Sequence, residues 1–426
     1  MDPETRDLDT LFGATEPDAS VHRLERTTGR ALIRARLDLS WQSPWARHTD
    51  SLIATGLNLG RDLFPPPIEA AILEKPRGHV VEHAFAPGAL VAPWSEDAHT
   101  GVANRQFDRL YTGHDAVQPR VGRFYPRAIL RDTGGDVRTD RRPCRITRVD
   151  PEQIAVDFNH PLAHQPLELR VTLEDICEPQ EERGGRCVEV AGLVTANGPG
   201  MQARWRDLPT DFWSDHPFLR RDPRPDPEFY RAPRLVDHLD RVAIGQIQAL
   251  YGRLIPPGSR ILDLMSSWHS HLPEALAAGP VVGLGLNAAE LAANPVLDER
   301  LVQDLNAEAR LPFADGAFDA VVCTASVEYL VEPFALFREV GRILRPGGIF
   351  AVTFTNRWFP PKAIAIWEAI HEFERPGLVL EYFLESGLFC DLETWSLRGL
   401  PRPPDDKYAD RLAHSDPVHA VWGHRA

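Results

Sequence analysis

The spacing of apolar positions changes near residue 235, and the two halves of the chain predict different architectures. Between about residues 30 and 195, short runs alternate apolar with polar residues: "ALIRARLDL", "HVVEHAFA", "RPCRITRV", "QIAVDF", "LELRVTLEDI" and "RCVEVAGLV". Successive strand side chains point to opposite faces, so a period of two predicts half-buried strands of an antiparallel sheet. One helix is expected at "PPIEAAILEK", where proline suits the first turn and Ile68, Ala71 and Ile72 share a face.

After Leu235 the pattern reads strand, helix, strand. "DHLDRVAIGQIQALYGRLI" has helical spacing and stops at "PPGS". Apolar runs then follow at "RILDLM", "VVGLGL", "RLVQDLN", "FDAVVCTAS" and "IFAVTF", interleaved with helical "LPEALAAG", "AAELAANP" and "FALFREVGRIL". Continuous apolar strands separated by helices predict a doubly wound α/β fold, a parallel sheet covered on both faces. Ligands of such sheets sit beyond the carboxyl ends of the strands. The later runs "FCDLETWSLRG" and "PVHAVWGH" are expected to complete the sheet as a hairpin.

Proline clusters in "DLPTDFWSDHPFLRRDPRPDPEFYRAPR", Asp207 to Arg234. Proline removes donors and restricts its neighbour, so this stretch is expected to connect the halves without regular structure. The organisation expected is a disordered tail over 1–28, a β-rich domain over 29–200, a connector over 201–232 and an α/β domain over 233–426.

Charge narrows the partners. With 47 basic and 61 acidic side chains the formal charge is −14, which argues against a nucleic-acid binder and against an anionic membrane surface. No run approaches the roughly 20 apolar residues of a membrane helix, and the polar N-terminus carries no signal segment. Cys144, Cys177, Cys187, Cys323 and Cys390 are scattered and never spaced as CxxC, as expected of idle thiols in a reducing cytoplasm. No metal site is expected: His269 and His271 would need a further well-placed ligand.

From about Pro233 onward the chain resembles class I S-adenosylmethionine-dependent methyltransferases. The resemblance is carried by "ARLPFADGAFDAVVCTASVEYLVEPFALFREVGRILRPGGIFAVTF", in order and spacing. It implies a Rossmann-like sheet, S-adenosyl-L-methionine as cofactor and a small-molecule methyl acceptor. By the same resemblance, Asp263 accepts from the cofactor's amino-acid end, and Asp304 and Leu305 meet the adenine. In the family, the turn after Asp263 carries three alternate glycines that let backbone approach the ligand. Here those positions hold Met265, Ser267 and His269, within "DLMSSWHSH". A variant subset of methyltransferase-like proteins also carries "DLMSSW". The family's ribose-binding acid is replaced by Gly285, with Asn287 two residues on.

Two readings of this turn stay open. In one the site has decayed and Met265 and Trp268 fill it. In the other Ser266, Ser267 and Ser270 supply short polar groups, in a turn without positive φ. Ser326, Glu328 and Tyr329 follow the fourth strand, where acceptor contacts are expected, and His269 or Glu328 could serve as a base. "NRWFPPKAIAIWEAIHEF" reads equally as a lid over an acceptor or as a core helix.

Residues about 50 to 176 resemble FKBP-type peptidyl-prolyl isomerases of the SlyD branch. "VDFNHPLAHQPLELRVTLEDI" matches the branch's turn and closing strand, and "FDRLYTGHDAVQPRVGRFYPRAIL" its insert-in-flap domain. The resemblance implies a prolyl pocket at Asp50, Phe64, Pro65, Ile68 and Leu169, and proline-containing or unfolded peptides as partners. Leu169 replaces an aromatic, and the first-strand tyrosine and "AYG" are missing. The leading expectation is methyl transfer. Prolyl isomerisation or a holdase role comes second, and a cofactor-free interaction protein third.

Overall fold

The computed structural model describes residues 22–111, 117–131, 139–178, 186–277 and 279–426. The first half supplies β1 (Leu32–Gln42), β2 (Arg47–Asn58), β3 (Val80–Phe85), β4 (His99–Ala103), β5 (Phe124–Pro126), β6 (Pro143–Val149), β7 (Gln153–Asp157) and β8 (Leu167–Cys177). The second supplies β9 (Ile261–Leu264), β10 (Val281–Gly285), β11 (Glu299–Val302), β12 (Phe318–Thr324), β13 (Leu344–Phe354), β14 (Phe389–Arg398) and β15 (Val418–Arg425).

Eleven of these strands form one mixed sheet, ordered β11-β10-β9-β12-β13-β15-β14-β2-β1-β8-β3. From β11 to β13 the strands are parallel; β15 runs antiparallel to β13 and to β14, as the expected hairpin. This is the doubly wound, Rossmann-like arrangement. The helix Arg241–Leu254 covers one face through Ala243, Ile247, Leu250 and Tyr251. Asp240 caps its start by accepting from the Val242 and Ala243 N–H groups, which would otherwise lack partners. The helix Pro333–Ile343 covers the other face, packing Leu336, Phe337, Val340 and Ile343 with Leu262, Val321 and Phe350.

The sheet does not stop between the halves. β14 pairs in parallel with β2, and through β2 the chain continues into the antiparallel β1, β8 and β3. Polar side chains line the seam: the His48 Nδ1 and Thr394 Oγ1 lie 2.7 Å apart, and Ser396 Oγ donates to Asp50 at 2.8 Å. A second sheet, β4-β7-β6-β5, packs Phe107, Tyr125, Ile129, Ile146 and Val156 into its own small core. It docks on the second half, with the Phe124 N–H donating to Glu374 and Arg123 to the Ala369 carbonyl.

Several local expectations are corrected. "RCVEVAGLV" forms the helix Val190–Thr195 instead of a strand, burying Val190 and Val194 against β1 and β2. Of the expected tail, residues 1–21 lie outside the described residues, while Arg23 and Arg26 bridge to Cys177 and Pro76. The stretch Asn356 to Phe373 contains only the short helix Ala365–Ala369, with Ile364, Trp367 and Phe373 in the core. Among the described residues no helix is long and apolar enough to cross a membrane.

Candidate functional site

β9 ends in Asp263, whose carboxylate accepts from Ser266 Oγ at 2.5 Å while both stay buried. Burial raises the Asp263 carboxyl to about 7, against the opposing hydrogen bonds of Ser266 and Ser270. The turn that follows is tied down on both sides. Ser266 N–H donates to the Leu284 carbonyl at 2.8 Å, and Asn294 Nδ2 donates to the Ser267 carbonyl and to Ser270 Oγ. Ser267 Oγ donates to Glu290 at 2.6 Å. Every serine of the turn therefore has a stated job.

The turn does use positive φ, contrary to the reading in which its serines act without it. Met265 stands at φ 59° and His271 at φ 55°. An L residue there costs about 1–2 kcal/mol, so Met265 retains the backbone shape of a glycine while adding a side chain packed against the core. The close approach is carried by a different glycine. A Cβ on Gly285 would fall 2.1 Å from the Ser266 carbonyl oxygen, so no acid fits at that strand end.

A cavity of about 1190 Å³ opens beside this turn. Asp263, Met265, Ser266, Ser267, His269, Asn287, Asp304, Leu305 and Ser326 all line it, so the fold brings these expected residues together. Asn287 is not available to a ligand: its Oδ1 caps the helix Ala288–Ala293, and its Nδ2 donates to the Tyr230 and Arg231 carbonyls. Asp304 Oδ1 accepts from the Asn306 and Ala307 N–H groups and holds the loop after β11. His269 pairs with Asp237 at 3.2 Å and stacks on His271, whose pKa burial lowers to about 3. Glu328 is not on the wall. It is buried between wall residues Ser326 and Tyr329, one oxygen has no partner, and burial raises it to about 8.

The proline-rich stretch, whose mixed charges and aromatics favour packing on a domain over a free linker, forms a wall together with the residues just after it. Tyr230, Arg234, Asp237 and His238 face the cavity, and Arg234 N–H donates to Glu290 while Trp268 Nε1 donates to the Val236 carbonyl. Beyond the turn the cavity runs to the small sheet, where Phe124, Tyr125 and Ile129 meet Met201, Trp358, His371, Glu372 and Arg375. Burial disfavours the Glu372 carboxylate, but the hydrogen bond and charge of His419 with Arg375 and His371 outweigh it and lower its pKa to about 2. Sequence reasoning missed Glu290, Asn294, Arg234 and Glu372. A first-turn acid and a residue before proline carry no distinguishing signal, because their partners are distant in sequence.

The residues expected to form a prolyl pocket do not line a common pocket, although Phe64, Ile68 and Leu169 pack in one core. Asp50 is buried in the seam, accepting from Trp41, Gln202 and Ser396, while Ile68 and Leu169 are fully buried core residues. Only Phe64 and Pro65 share a shallow groove, with His83 and Phe85.

Among the described residues, buried polar atoms of the large cavity's wall residues that have no partner include Tyr230 Oη, Arg234 Nη1, His271 Nδ1 and Trp358 Nε1. Orphaned buried polar groups are costly, and a polar ligand in the cavity would satisfy them. The cavity therefore offers a polar ligand hydrogen-bond partners beyond the strand ends.

Comparison with known proteins agrees on this region. Residues 268–352 match the family model described as "Methyltransferase domain". The chain is 27% identical over 135 residues to methyltransferase GfsG of Streptomyces halstedii, covering 29% of this chain and 48% of that protein. It is 34% identical over 111 residues to the demethylmenaquinone methyltransferase of Mycolicibacterium vanbaalenii, covering 25% and 47%. The chain thus spans about half the length of the curated relatives it matches. A solved S-adenosylmethionine-dependent methyltransferase from Aquifex aeolicus aligns with 16% identity and a TM-score of 0.31, over 47% of this chain and 99% of that one. Residues 268–352 are thus similar to methyltransferase domains, and the cofactor that this similarity implies is S-adenosyl-L-methionine.

Proposed function

We propose that the chain transfers a methyl group from S-adenosyl-L-methionine to a small-molecule acceptor held between the turn after β9 and the small sheet. The observation that carries this reading is the single cavity shared by both halves. Its volume of about 1190 Å³ exceeds the roughly 300–1,000 Å³ of a site for one drug-sized ligand. Two ligands side by side fit that space. The cofactor, when bound, supplies an electrophilic methyl group, so the protein's task is alignment and exclusion of water.

The chain's own residues divide this task. The serine-pinned turn and Asp304 shape the cofactor end. Trp358, Tyr125, Ile129 and Met201 give the acceptor end an apolar wall, and Glu372 gives it a charge. The domain boundaries proposed are 29–200, 201–232 and 233–426, with the first unit acting as the acceptor wall. Two relatives named for methyl transfer, one of them to demethylmenaquinone, support an organic acceptor.

The test is calorimetric titration of S-adenosylhomocysteine into the full chain, beside Asp263→Ala. Micromolar binding that the substitution weakens at least tenfold is expected; no heat from a protein that still melts cooperatively would overturn the reading. Prolyl isomerisation by the first half ranks second. It is supported only by the groove at Phe64 and Pro65, and proline-peptide turnover above background by the full chain is the result it requires.

A further inference from the structure

Arg234 lines the cavity and ties two of its walls together. Its backbone N–H is held by Glu290, after β10, while its guanidinium carbon lies 5.0 Å from the ring centre of Phe359, after β13. The rings of Phe229 and Tyr230 lie at 4.7 and 5.2 Å from the same carbon, so three aromatics cage the guanidinium. Cation–π contact fixes its orientation without using its donors. One long hydrogen bond, from Nη2 to the Phe229 carbonyl at 3.4 Å, is all that Nη2 makes. Nη1 is buried with no partner, and so is the neighbouring Tyr230 hydroxyl. Both residues line the cavity, and among the described residues no carboxylate forms an ion pair with Arg234.

A buried guanidinium donor left unsatisfied, with an orphaned hydroxyl on one of the rings that cage it, is an unfavourable arrangement. It becomes favourable when a carboxylate accepts from both, because charge-assisted hydrogen bonds to arginine are the strong ones. We propose that Arg234 Nη1 and Tyr230 Oη form a carboxylate-recognition point in the cavity wall. The proposal rests on the cofactor reading above and deepens it. Two carboxylates qualify by chemistry: that of the cofactor's amino-acid end, and one carried by the acceptor. A cationic amine is disfavoured in either place.

The experiment compares the full-length protein with Arg234→Gln and, to spare the aromatic cage, Tyr230→Phe. Calorimetry measures S-adenosylhomocysteine, which carries the carboxylate, and 5′-methylthioadenosine, which lacks it. Benzoate and benzamide are then titrated into protein saturated with S-adenosylhomocysteine. If the point holds the cofactor, both variants lose roughly 10- to 100-fold in S-adenosylhomocysteine affinity and keep that for methylthioadenosine. If it holds the acceptor, both cofactor affinities stay constant, and benzoate binds wild type better than benzamide with the preference lost in the variants. Equal loss for both nucleosides, or no change for any probe, overturns the carboxylate point while leaving the cofactor reading intact. Wild-type protein that binds neither nucleoside overturns both. Should Arg234→Gln fail to melt cooperatively, Tyr230→Phe, which keeps the ring and removes only the hydroxyl, decides alone.

Discussion

Gly285 and Ser266 touch across the end of the β9–β10 strand pair: a Cβ on the glycine would sit 2.1 Å from the serine carbonyl oxygen. The contact follows from the Ser266 N–H donating to the Leu284 carbonyl, which draws the turn onto β10. The glycines absent from the turn are thus matched by one on the facing strand. Placing an acid at this strand end with Gly285→Asp is expected to displace the turn, destabilise the protein by about 1–3 kcal/mol and abolish S-adenosylhomocysteine binding. Thermal melts and calorimetry check this; a variant that binds more tightly would show that the strand end has room.

Asp263 and Glu328 should make stability depend on pH in a defined direction. Burial raises them to about 7 and about 8. Between pH 4 and 7 the unfolded chain has ionised these carboxyls while the fold keeps them protonated. The folded state then binds more protons, so stability falls as pH rises through this window. His48 and His271, lowered to about 3 by burial, act oppositely below about pH 6.5. The difference between wild type and Asp263→Asn therefore isolates the acid. The variant is expected to gain melting temperature relative to wild type from pH 5 to pH 8. A constant difference across that range would mean Asp263 is ionised throughout.

Much of the second half was legible because its strands are continuous apolar runs and its helices have caps and stripes: β9 to β13 and the helix Arg241–Leu254 fall where the pattern places them. β2 was not legible. It is flanked by β1 and β14 and buried on both faces, so "RHTDSLIATGLN" shows no alternation, and Asp50 was instead expected in a prolyl pocket. The helix Glu374–Ser386 was hidden by Pro376 and Gly377, although proline is tolerated in a first turn. Gly377 is required by packing, since a Cβ there would meet the Gln202 carbonyl at 2.9 Å. At the site, Asp263, Asp304 and the serine turn were read from local motifs, whereas Arg234 and Glu372 join it only through long-range packing.

The continuous sheet predicts one unfolding unit. Asp50 is buried in the seam and burial raises its pKa, so its hydrogen bonds from Ser396, Trp41 and Gln202 matter. Ser396→Ala is expected to cost about 1–3 kcal/mol and to shift a single cooperative transition of the full chain. Two separated transitions, with only the second moved, would mean that the halves unfold independently despite the β2–β14 pairing.

His419 and Glu372 carry the last prediction. The ring nitrogen Nε2 lies 2.7 Å from Glu372 Oε1, and the imidazole is fully buried, stacked on Phe354. The pair keeps a charged carboxylate in the cavity wall beside the small sheet. Removing one partner of a buried pair leaves the other's desolvation uncompensated, typically about 3–5 kcal/mol. His419→Phe, which preserves the stack, should therefore be strongly destabilising, and Glu372→Gln less so because the amide still accepts. In the double variant no charge is left stranded, so its loss should be smaller than the sum of the two by at least about 1 kcal/mol. Urea unfolding of the four proteins measures this coupling. Strict additivity would mean that Glu372 draws its charge from Arg375 and His371 instead, and that His419 only fills space.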